Sequence, residues 1–439
     1  MRILQQIPKS NRAHAHRLLQ CLTVAARPLF VEELAEVLAL EFSAVENSIP
    51  KVNEELRWED QERAVLFACS SLIAIVGVPW RKRVVQFSHF SVKEFLTSDR
   101  LASSSADALR YHHFRFEPAH TIMAQACLGV LLRLDKTMDK QTINMYPLAR
   151  YASRHFGQHA EFENVFSYIT NGVDDLLDPD NAHFDIWVWL QMDDWGSYAW
   201  RDPGDDTHYT SSYNSSPFPL YPPRVSPLYY ASLCGDLCLA KRLILARPQE
   251  LHIKDESGCG PLHKAVLAGQ AEVSQFLVEY RIDLDPDTKG RTLLHMAVYK
   301  GLSGVARMLL EHHGDHKIDV NARNKEGQTA LHLATRYRQS SMAALLLKFG
   351  ADVNVMDNDC VTPLLSALQP WNYKYGITGI SEMAQLMLDN GAMARARGKY
   401  GQTPLHLASE CNLPDMIATL VKLGADVDAR DNDDMTPLL

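Results

Sequence analysis

The chain has 439 residues, 46% hydrophobic and 22% charged, with a net charge of −9. That length exceeds one ordinary core and predicts two or three domains, and neither half carries net positive charge, which argues against nucleic-acid binding. The apolar stretch 18–40 is interrupted by Gln20, Arg27, Pro28, Glu32, Glu33 and Glu36 and predicts no membrane span; no signal peptide follows Met1, and eight scattered cysteines suit reduced thiols in an intracellular, cytoplasmic protein.

The first elements read as helices. Residues 10–24 carry the apolar stripe Ala15, Leu18, Leu19 and Leu22, Pro28 stops that run, and residues 31–40 repeat the pattern with Leu34, Val37 and Leu38. Residues 60–71 predict a third helix. Residues 72–76 and 84–87 then flank a turn as a β-hairpin, and 92–101 returns to helix. Three helices with a hairpin make a winged helix. Its third helix would enter a DNA groove, yet its surroundings from Trp58 to Arg63 are acidic; only the Arg81-Lys82-Arg83 turn favours phosphate, and a solvated turn explains it as well.

Three stretches carry a family likeness: residues 17–22, residues 27–35 and above all Phe87-Ser88-His89-Phe90-Ser91-Val92-Lys93-Glu94-Phe95-Leu96. They resemble the winged helix that follows the NACHT NTPase in fungal NOD-like receptors, which is also similar to that of GPI inositol-deacylase proteins. The resemblance implies a receptor built of NACHT ATPase, winged helix, helical linker and ankyrin repeats. It also implies a role for His89, whose family counterpart touches the phosphate of ADP bound to the NTPase. The plainer reading of His89 is a helix cap, because one histidine makes no phosphate site without the backbone donors of a glycine loop. This chain has no Gly-x-x-x-x-Gly-Lys-(Ser/Thr), no Gly-x-Ser-x-Gly and no His-Glu-x-x-His, so no enzyme activity and no cofactor are expected.

Residues 102–190 continue as helices at 121–134, 146–155 and 161–169, with an aromatic run around Trp187. Residues 191–225, rich in Pro, Ser and Asp, read as a flexible linker.

From residue 226 one phrase recurs. Thr403-Pro404-Leu405-His406 is the full form; variants begin at Ser226, Gly260, Thr292, Thr329, Thr362 and Thr436, at intervals of 32 to 37 residues with one of 41. Thr caps a helix, and Pro at its first position removes a donor that had no partner. A second apolar-periodic segment and a Gly stop follow, as at Gly350, Gly391 and Gly424. One such helix pair cannot bury its own apolar face, so copies must stack. The period and the phrase resemble ankyrin repeats, six plus the start of a seventh over 226–439. The fold class is therefore mainly α: winged helix (1–101), helical linker (102–190), flexible linker (191–225) and α-solenoid.

Ankyrin arrays usually bind through turn tips and exposed positions of the first helices, which here include Met296, Leu333 and Leu407. Tyr299, Lys300, Arg336 and Tyr337 fall on neighbouring repeats of one face, and Tyr and Arg favour interface centres; ordinary solvated surface is the alternative. The long interval adds Trp371. Two metal readings are weak: Cys234, Cys238, Cys259 and His263 occupy repeat packing positions, and His312, His313, Asp315 and His316 lack supporting residues. The expected function is a non-catalytic protein-interaction module, the sensor part of a NACHT–ankyrin receptor with a protein partner. The alternative is regulation of a separate nucleotide-bound NTPase through His89. The last phrase stops one turn into a helix, so the chain is expected to be a fragment of a longer receptor.

Overall fold

The computed structural model describes residues 7–42, 48–57, 59–69, 71–78, 82–103, 111, 113–135, 138, 140–179, 181–192, 225–280, 284–311, 318–369 and 379–437. They form two compact units, residues 1–230 with 238–246, and residues 231–237 with 247–439.

In the first unit, α1 (Arg12–Val24) buries Ala15, Leu18, Leu19 and Cys21 on one face and ends where Ala25 turns extended. Next come β1 (Leu29–Phe30) and α2 (Val31–Leu38). Glu33 fixes the start of α2: its Oε2 accepts the Phe30 N–H at 2.8 Å while Arg27 clasps both carboxylate oxygens at 2.6 and 2.8 Å. The short strands β2 (Leu40–Glu41) and β3 (Lys51–Val52) pair antiparallel. Then follow α3 (Gln61–Cys69) and the hairpin β4 (Ile73–Val78) and β5 (Lys82–Phe87), in register from Ile73 opposite Phe87 to Val78 opposite Lys82. The sheet order is β1-β5-β4. Strand β1 was not anticipated, because two residues show no alternation to read.

After α4 (Phe90–Leu96) and α5 (Asp99–Ala102) come α6 (Phe116–Leu131), α7 (Lys140–Asn144), α8 (Leu148–Ala160), α9 (Thr170–Leu176) and α10 (Ala182–Met192). Helix α6 packs against both α1 and α8. Gly129 makes the close approach of α6 to the winged helix feasible, since a Cβ there would lie 2.5 Å from the Pro50 carbonyl oxygen. Two polar contacts tie α8 to the winged helix. The Leu148 N–H donates to Glu36 at 2.6 Å, and the Ala26 N–H donates to the Tyr151 hydroxyl at 3.0 Å. The helix expected over 161–169 is instead a 3₁₀ turn, Val165–Tyr168; Glu163, just before it, takes a positive φ of 37°, which an α-helix cannot contain. The linker 193–224 lies outside the described residues.

From residue 226 on, the described helices come in pairs. First helices α11 (Pro227–Cys234), α13 (Pro261–Ala268), α15 (Leu293–Lys300), α17 (Ala330–Arg336), α19 (Pro363–Leu368) and α21 (Pro404–Glu410) alternate with α12 (Leu237–Ala246), α14 (Ala271–Val278), α16 (Ser303–Glu311), α18 (Ser340–Lys348), α20 (Ile380–Asp389) and α22 (Pro414–Lys422). From α13 on, each first helix packs on the next first helix and each second helix on the next second helix, in two layers. The division between the units falls inside the first repeat: Cys238–Ala246 groups with the first unit, where Arg242 lies 4.0 Å over the Phe166 ring and Tyr230 meets Phe184 edge-on at 5.6 Å.

Candidate functional site

Every first helix starts one residue after the first residue of the repeated phrase. Where the phrase ends in His, the imidazole does the fixing. In the Thr329 copy, the Thr329 N–H donates to His332 Nδ1 at 3.1 Å, the Thr329 hydroxyl lies 2.9 Å from the same nitrogen, and Nε2–H donates to the Val361 carbonyl of the next turn at 3.0 Å. The same bridge runs from His263 to Asp285 O (2.9 Å), His295 to Gln328 O (2.9 Å) and His406 to Met435 O (3.1 Å). With Nδ1 accepting and Nε2 donating, these rings are neutral; burial lowers the pKa of His295 and His332. The fifth repeat carries Leu365 in that place, buried, with Thr362 Oγ1 accepting its N–H at 3.3 Å.

The turns are held by a second ladder. Asp357 Oδ1 accepts the Asp359 and Val361 N–H groups, both at 2.9 Å, and Asp255, Asp287 and Asp431 do the same in their own turns. Backbone bonds then join turn to turn, from Thr288 N to Ser257 O through Asn432 N to Tyr400 O. Helix ends and turn tips are thereby rigid, which is what a surface needs if binding is to cost little ordering.

That frame holds the sequence-predicted residues. Tyr299 and Tyr337, from neighbouring repeats, meet edge-to-face with ring centroids 5.4 Å apart and planes at 85°. Lys300 and Arg336 are exposed beside them, with Lys300 Nζ 5.7 Å from the Tyr299 ring centroid. Trp371 and the cluster His312, His313, Asp315 and His316 lie outside the described residues. Met296, Leu333 and Leu407, expected at the exposed positions, are instead buried at 1%, 8% and 4% exposure. The first helices pack so closely on one another that only their carboxy-terminal ends reach solvent. Sequence periodicity missed this because it cannot separate a groove-facing side chain from one covered by the next repeat.

In the winged helix, His89 is the N-cap of α4: Nδ1 accepts the Ser91 N–H at 3.2 Å and lies 2.7 Å from the Ser91 hydroxyl. Its ring leans on Phe90, which is 73% exposed. Sequence reasoning also passed over Glu36. This buried carboxylate faces Arg57 at 2.9 Å beside a hollow of about 270 Å³ lined by Ala35, Gln61, Met145 and Pro147, and burial pushes it up to about 7. Its partners are Arg57, which also meets Glu54 at 3.1 Å, and the first N–H of α8. In the cysteine set drawn for zinc, His263 already accepts from Gly260 N–H at 3.3 Å and donates to Asp285 O. Among the described residues no helix is long and apolar enough to cross a membrane.

Comparison with known proteins assigns these parts. Residues 3–108 match the model of the GPI inositol-deacylase winged helix domain. Residues 228–324, 315–364 and 400–432 match ankyrin-repeat models. The human B-cell lymphoma 3 protein is 32% identical over 219 residues, 49% of this chain and 46% of that protein; its mouse homolog is 28% identical over 219 residues, 49% and 47%. The chain thus spans just under half the length of these relatives. The probable 26S proteasome regulatory subunit p28 of Saccharomyces cerevisiae is 28% identical over 212 residues, 47% of this chain and 89% of that protein. A crystal structure of the ankyrin repeat domain of Bcl-3 aligns at 31% identity with a TM-score of 0.42, covering 48% of this chain and 92% of that one. The chain therefore carries a winged helix domain of the GPI inositol-deacylase type and, behind it, ankyrin repeats.

Proposed function

We propose that the chain is a non-catalytic protein-interaction module that binds a protein partner through its ankyrin repeats, at a surface centred on Tyr299, Lys300, Arg336 and Tyr337, and that it is the regulatory part of a NACHT–ankyrin type receptor. The observation that supports this most directly is the edge-to-face tyrosine pair, which spans two repeats and sits between exposed cations on a rigid frame. Aromatic and Arg side chains that are already ordered lose little entropy on binding. The order of a winged helix followed by repeats supports the receptor part of the proposal. His89 is committed to a helix cap, so its geometry adds nothing to the reading in which the chain senses a separate NTPase.

The test is affinity capture with the full chain. Arg336→Glu combined with Tyr337→Ala is expected to lose at least one protein held by the parent, by more than about tenfold if the pair lies near the centre of the interface. An identical set of bound proteins, at the same level and salt, would refute the surface.

A further inference from the structure

The first helices of the second to fifth repeats show a marked segregation of charge. Helices α13, α15, α17 and α19 contain no Asp or Glu, and their only charged residues are Lys264, Lys300 and Arg336. Lys264 is paired with Asp255 at 3.0 Å. Lys300 and Arg336 are exposed at the ends of neighbouring first helices, with Arg338 just beyond the second. The acids of these repeats lie off the first helices: Asp255, Asp287 and Asp357 are spent inside their turns, Glu326 and Asp359 are exposed on turns, and Glu272, Glu311 and Glu382 are on second helices. In a chain of net charge −9 this is a local cationic stripe, and it coincides with the tyrosine pair.

We infer that the partner presents an acidic peptide segment, with carboxylates set against Lys300 and Arg336 and an apolar side chain between them on the Tyr299–Tyr337 pair. The inference rests on the protein-binding reading of this surface and names its ligand chemistry. A carboxylate can meet Arg336 through two parallel N–H donors, and the ring faces supply the apolar contact that a bare charge pair lacks. A nucleic acid strand suits the surface less well. It needs a longer run of cations than Lys300 and Arg336 provide.

The probe is a short fluorescein-labelled peptide of glutamates around a central leucine, titrated against the full chain by fluorescence anisotropy. Binding is expected to weaken about tenfold between about 50 and about 300 mM salt. Lys300→Glu with Arg336→Glu, both at exposed positions and checked for an unchanged melting curve, is expected to cost at least about tenfold. Serine in place of the central leucine should weaken it further. Equal binding of the lysine counterpart, preference for a single-stranded oligonucleotide, indifference to the double reversal, or no binding of the acidic peptide would each overturn the assignment. Loss of captured proteins in the Arg336→Glu, Tyr337→Ala variant tests the protein-binding reading separately, so the two can fail independently.

Discussion

Histidine carries much of this structure, and its chemistry is that of a neutral ring. In the first unit the Ala26 N–H donates to the Tyr151 oxygen, so the Tyr151 hydroxyl donates to His159 Nε2 at 2.9 Å, and His159 Nδ1–H is left to donate to His120 Nδ1 at 3.0 Å. Burial, then the neighbouring His120 and His155, lowers His159 from 6.5 to about 3. The folded chain refuses a proton that the unfolded chain accepts. The stability that depends on this neutral ring is therefore complete above pH 6.5 and declines as pH falls from 6.5 towards 3. By pH 5 the loss is about 2 kcal/mol, and His159→Gln, which has no proton to gain, is expected to flatten that acid limb. Thermal melts of both proteins between pH 7 and pH 4 check it; parallel curves would show that His159 is not the titrating group. None of this was visible in the sequence, where His120 and His159 are 39 residues apart and lie on different helices.

Helix starts were the most legible elements. Thr or Gly followed by Pro and Leu has a local physical meaning, and all six first helices begin where the phrase places them. What the phrase did not disclose is that its His belongs to the next repeat as much as to its own. His332→Leu would leave the buried Thr329 N–H and the Val361 carbonyl without their partner, and is expected to cost about 1–3 kcal/mol. Leu365 shows the same position filled by a buried apolar residue in the fifth repeat. Chemical denaturation of the variant measures the cost, and a change below about 0.5 kcal/mol would mean that the bridge is dispensable. The stops were also legible in part. Gly269 and Gly301 end first helices with φ of 81° and 71°, yet Arg338 and Asn412 take the same left-handed place at 55° and 51°, which no propensity for Gly would have located.

Across the whole molecule the two units differ in how their stability is distributed. The first closes a core around α1, α6 and α8, whereas in the second each repeat depends on its neighbours. Leu18 is fully buried in α1, so Leu18→Ala is expected to remove about 2–5 kcal/mol from the first unit. Hydrogen exchange should then quicken at buried amides within residues 12–24 and 116–131 and stay unchanged within 293–348; equal acceleration in both would show that the units share one cooperative core. The sequence by itself determined that the second half is a stack of helix pairs, because helix caps, apolar periodicity and a period near 33 are properties of neighbouring residues along the chain. It also determined the three helices and hairpin of the winged helix, for the same reason. Only the tertiary structure decided which side chains of the repeats reach solvent, that α8 is tied to the winged helix through Glu36 and Tyr151, and that the Tyr299 and Tyr337 rings meet edge-to-face. Those depend on packing between residues distant along the chain, which short-range pattern does not contain.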